Sequence, residues 1–112
     1  MAEKNILILV KSLPYNTLNY YESLRTAAGL WEHQVTILWT GKGVYSILNS
    51  ADQTLTHKFL EDLPDLDVEM YVDRDTLSNY AIDEADIITE VTVAAKETVT
   101  KIINSAEASL VF

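Results

Sequence analysis

The sequence holds few side chains able to do covalent or metal chemistry. There is no cysteine, which excludes a thiolate nucleophile, a thiolate metal site and a disulfide framework. The two histidines are His33 and His57. Neither belongs to a pair at metal-ligand spacing, and no Gly-x-Ser-x-Gly elbow accompanies them. A hydrolase or transferase of the usual kind would need a nucleophile beside a base, and the sequence supplies no such pair. We expect no catalytic residues, no metal ligands and no cofactor.

Anion binding is the chemistry with more support. Gly41-Lys42-Gly43 follows an apolar run and opens a helical stretch, so its amides and the Lys42 ammonium could hold an anion. It is not a dinucleotide fingerprint, because Ser46 stands where the third glycine belongs, and the P-loop spacing is absent. The competing interpretation is a turn whose glycines supply special φ values. The candidate ligand-binding set is Lys11, Ser12, Tyr15, Gly41, Lys42, Gly43, Asp73 and Arg74, and its ligand would be a small anion or a nucleotide.

Acidic groups crowd residues 61–90, where eleven carboxylates face Arg74 alone. The Asp-x-Asp-x-Asp-Gly order of a calcium loop is missing. The run reads as a solvated face, or as a docking surface for a basic protein partner.

These residues must be positioned by a scaffold that is legible from periodicity. Asn5 to Lys11 is a continuous apolar run rich in β-branched residues, the mark of a strand buried on both faces. Asn16 or Thr17 is placed to cap a helix carrying Leu18, Tyr21, Leu24, Ala28 and Trp31 on one face. Gln34 to Trp39 is a second strand, Val44 to Leu48 a short helix, and Thr54 to Leu63 another helix stopped by Pro64. Val68 to Val72 is a third strand, followed by a helix over Arg74 to Ile82 with Asp73 as its N-cap. Ile87 to Val93 is dense in β-branched residues and reads as a fourth strand. A helix over Ala94 to Ser105 carries Val99, Ile102 and Ile103 on one face. Ala108 to Phe112 is the closing strand.

Strands alternating with helices imply βαβ units and right-handed crossovers. The expectation is one α/β domain over residues 1–112, three layers deep, with a mostly parallel five-stranded sheet. Ligands in such sheets bind beyond the carboxyl ends of the strands. That directs attention to Lys11–Thr17, Trp39–Val44, Asp73–Asp75 and Thr92–Ala94.

Composition narrows the partners. The 112 residues are 48% hydrophobic with mean hydropathy +0.05, enough to build one core without staples. Net charge is −9, and it is uneven: residues 1–60 carry +1 and residues 61–112 carry −10. No basic cluster could release counterions from nucleic acid, and the acidity argues against anionic membrane surfaces. The longest apolar run, Ile6 to Val10, is far too short to span a membrane or to act as a signal peptide. The cytoplasm is the expected compartment. Ten aromatic residues, six of them tyrosine, suit a core or an oligomer interface. A chain whose apolar last strand ends at Phe112 must bury Leu110 and Phe112, against a neighbouring subunit if not within itself.

The order of these elements resembles the DsrE/DsrF-like sulfur-relay family, its DsrF/TusC branch most closely. The resemblance rests on the opening Ile-Leu-Ile-Leu-Val strand, residues 18–30, and Gly43-Val-Tyr45. It continues through Met70-Tyr-Val-Asp73 with Thr76-Leu77, Ile87-Ile-Thr-Glu-Val-Thr92 and Leu110-Val-Phe112. It implies the same three-layer fold, and homo-oligomers or hetero-oligomers of related subunits. In many members a persulfide-carrying cysteine ends the third strand, and by this matching Asp73 stands there. The combination implies a non-catalytic oligomeric protein, an accessory or scaffold subunit in intracellular sulfur relay. The alternative is a small-molecule binding module built on the strand-end loops.

Overall fold

A computed structural model of the chain describes residues 3–12, 19–54 and 56–112. Five strands, β1 (Asn5–Val10), β2 (Gln34–Trp39), β3 (Glu69–Asp73), β4 (Thr92–Ala94) and β5 (Ala108–Val111), form one sheet. Their order is β4-β3-β2-β1-β5, and every pairing is parallel. The helices are α1 (Asn19–Gly29), α2 (His57–Asp62), α3 (Arg74–Asn79) and α4 (Lys96–Ser105). Tight 3₁₀ turns occupy Gly41–Ile47, Leu63–Leu66 and Glu84–Asp86.

Strand order explains how the layers fill. From β1 to β4 the chain steps in one direction across the sheet, and right-handed crossovers then place every connection on one face. The return from β4 to β5 runs the other way, which puts α4 on the opposite face. Register and burial agree with this division. Ile8, Val10, Ile37, Trp39, Met70 and Val72 lie in the core beneath α1. Their neighbours in alternation, Leu7, Leu9, Leu38 and Tyr71, point to the α4 face. β1 and β2 are buried on both sides near their middles, which is why β1 reads as a continuous apolar run.

Several boundaries differ from the sequence expectation. Residues 87–93 do not form a strand along their length. Ile87 makes an isolated antiparallel bridge to Leu48, and pairing with β3 begins only at Thr92. Ile87, Ile88 and Val91 are nevertheless buried in the core, so their β-branched side chains serve as plugs in a loop. The α-helix before Pro64 ends at Asp62, as expected, but it starts at His57 and runs straight into a 3₁₀ segment, Leu63–Leu66. Pro64 sits in the first turn of that segment, where its missing N–H costs nothing, and the chain turns at Asp67 with φ 61°. The core face of α1 is Tyr20, Ser23, Leu24 and Ala27, shifted from the expected stripe, and Trp31 lies beyond the helix at 62% exposure. The expected caps Asn16 and Thr17, and Leu18, lie outside the described residues. Phe112 packs against the core, but Leu110 does not bury within the chain.

Candidate functional site

The carboxyl ends of β1, β2 and β3 bring together most of the residues singled out from sequence. Lys11 and Ser12 follow β1, Gly41, Lys42 and Gly43 follow β2, and Asp73 and Arg74 lie at the end of β3. Tyr15 lies outside the described residues. The backbone donors in this crevice are largely engaged by the fold itself. The amides of Lys11 and Ser12 both donate to the Phe112 carbonyl oxygen, at 2.7 and 3.1 Å. The Gly43 amide donates to Thr40 O at 3.1 Å, and Thr40 N donates to Val10 O at 3.0 Å.

Gly41 and Gly43 have separate structural reasons. Gly41 has φ +52°, a left-handed conformation that glycine adopts without strain. At Gly43 an added Cβ would collide with the backbone oxygen of Val10, so only glycine lets this turn lie against the end of β1. Lys42 is exposed at the rim. Its ammonium is the charge the turn offers an anion.

At the end of β3 the expected N-cap is present. Asp73 is half-buried, and its carboxylate accepts from Asp75 N at 3.2 Å and from Thr76 Oγ1 at 3.0 Å. Arg74 turns away to Glu84, with Nε 3.2 Å from Oε2. The two charged groups expected to meet a ligand are thus held by neighbours on their own side of the crevice. Among the described residues no group of three or more His, Asp or Glu side chains is arranged to hold a metal ion. His33 accepts from Lys4 N through Nδ1, far from the strand ends, and His57 Nδ1 faces Gln53 O within its own helical turn.

Sequence reasoning did not pick out the floor of this crevice. Tyr20 and Trp39 meet edge to face with ring centroids 6.5 Å apart. Tyr20 Oη and Trp39 Nε1 are buried with no hydrogen-bond partner among the described residues. Burial pushes the Tyr20 phenol above its ordinary pKa, and the nearby Ser46 hydroxyl and Trp39 indole only partly offset this. Neither is a hydrogen-bonded partner of the phenol among the described residues; Ser46 Oγ donates to Gly43 O at 2.6 Å. The sequence signal was available in part: a tryptophan closing an apolar strand must bury a donor that seeks a partner.

A shallow hollow of about 160 Å³ lies at the other end of the sheet, under α4, lined by Leu7, Thr36, Glu69, Lys101, Ile102 and Ser105. It brings together none of the expected residues. No described helix is long and apolar enough to cross a membrane.

With this geometry in place, the comparisons are specific about fold. The sequence matches the DsrE/DsrF-like family over residues 4–112. The YchN protein of E. coli superposes with TM-score 0.81 at 19% identity, over 97% of this chain and 99% of that one. A protein of unknown function from Methanobacterium thermoautotrophicum gives TM-score 0.72 at 13% identity, over 99% and 100% of the two chains. A conserved protein of unknown function from Bacteroides thetaiotaomicron gives 0.67 at 16%, over 97% and 95%. No functionally curated protein matches the sequence.

Proposed function

This chain belongs to the DsrE/DsrF-like family, and from that premise we propose that it is a non-catalytic, assembling member. It supports cysteine-bearing partners in sulfur relay inside the cell without carrying sulfur itself. One observation carries the proposal: a family scaffold with no cysteine. A persulfide needs a thiolate sulfur to grow from, and no side chain here can supply one. At the end of β3, where the resemblance places the family thiol, Asp73 caps α3 through two hydrogen bonds. That carboxylate has a structural task and holds no transferable atom.

Intact-mass spectrometry after incubation with a persulfide donor tests the proposal. The wild-type mass stays unchanged, whereas the Asp73→Cys variant gains sulfur at the position assigned to the family thiol. A stable sulfur adduct on the wild-type chain would overturn the non-carrier role. The alternative, an anion or nucleotide module, is supported by the exposed Lys42 ammonium, whereas the amides of Thr40 and Gly43 that flank the turn are already bonded within the fold. In that reading Lys42→Ala weakens binding of an anionic metabolite without changing Tm, and thermal shift against a metabolite panel decides it.

A further inference from the structure

The hollow under α4 holds polar groups that the sheet face around it lacks. On that face β1 presents Leu7 and Leu9 and β2 presents Leu38, an apolar layer. Thr36 and Glu69 interrupt it. Leu7, Thr36 and Glu69 stand in one register row across β1, β2 and β3. A central strand of a parallel sheet, covered on both sides, ordinarily carries an apolar side chain at such a position. From above, α4 contributes Lys101 and Ile102, and the hollow so lined measures about 160 Å³.

These polar groups are not used up by the fold. Lys101 and Glu69 line the same hollow without forming an ion pair. Among the described residues the Lys101 ammonium and the Thr36 hydroxyl have no partner, and the Glu69 carboxylate accepts only from Tyr71 Oη, at 3.3 Å. A cation and an anion that share a hollow without meeting are complementary to a molecule that carries both charges. A cavity of about 150 Å³ takes a benzene-sized molecule, whereas drug-sized ligands need about 300 Å³ or more, so the ligand is small. Buried Leu7 and half-buried Ile102 offer a short apolar side chain a surface to lie on.

We propose that this hollow binds an α-amino acid as its zwitterion. The ligand ammonium meets Glu69, its carboxylate meets Lys101, and a short aliphatic side chain rests on Leu7 and Ile102. The Thr36 hydroxyl can donate or accept, so it serves either charged group. The hollow lies at the opposite end of the sheet from Lys42 and Asp73, and its ligand is independent of the sulfur-relay role.

Titration with L-valine, followed through the ligand's own NMR signals, tests the site, with circular dichroism to show that each variant folds. The wild type binds valine. Isobutylamine, which lacks the carboxylate, and isovalerate, which lacks the ammonium, each bind about tenfold more weakly. Glu69→Gln weakens valine binding about tenfold and removes its advantage over isovalerate. Lys101→Gln weakens it about equally and removes its advantage over isobutylamine. Lys58→Gln, at an exposed lysine on α2, leaves valine binding unchanged. A wild-type chain that ignores valine would overturn the site, as would valine binding that survives both Glu69→Gln and Lys101→Gln. Equal binding of the three probes would overturn the zwitterion as the ligand class. A loss in Lys58→Gln as large as that in Lys101→Gln would show attraction to lysines in general and overturn the placement.

Discussion

Gly43 shows how one residue can set the geometry of the strand-end crevice. Gly43→Ala drives a Cβ into backbone that has no side-chain end to swing away. The turn must lift off β1, and urea unfolding should show a loss of about 1–3 kcal/mol. Asp73→Ala removes the cap of α3 and leaves Thr76 Oγ1 without its partner, which should cost about 1 kcal/mol. Tyr20 acts in the opposite sense. Among the described residues its hydroxyl has no bond to lose, so Tyr20→Phe should leave stability at neutral pH unchanged or slightly raised. Its pKa is raised in the folded state, so its contribution is intact below the unfolded phenol value of about 10 and is lost as pH rises above it. Urea midpoints at about pH 8 and about pH 11 should therefore fall less steeply for Tyr20→Phe than for the wild type. An equal fall in both would remove Tyr20 from that account.

At the scale of elements, what could be seen in the sequence follows from what each signal measures. β1 and β2 were legible because a strand buried on both faces must be apolar throughout, and the cap at Asp73 because its chemistry is local. The stretch from Ile87 to Val91 was misread because β-branched density reports burial, and burial does not require pairing. It follows that Ile88→Ala should cost about 2–4 kcal/mol by cavity formation, while the neighbouring exposed Thr89→Ala should change little. Comparable losses from both would contradict the plug role. The candidate site was legible only as a location. That the Lys11 and Ser12 amides are bonded to Phe112 O depends on a strand pairing across about a hundred residues, which no local pattern carries.

For the whole molecule, charge is distributed unevenly. Carboxylates gather between residues 61 and 90, whereas residues 91–112, which include α4 and β5, carry no net charge. Added salt screens the repulsion between carboxylate-rich surfaces, so assembly should strengthen from about 0.05 M to about 0.5 M salt. The proposed role, an assembling scaffold that does not carry sulfur, rests on the family match and the absence of cysteine. Static light scattering on the wild-type chain across a concentration series tests this most directly. The account predicts a mass above the 12.6 kDa of one chain; a constant mass of one chain at every concentration would contradict it.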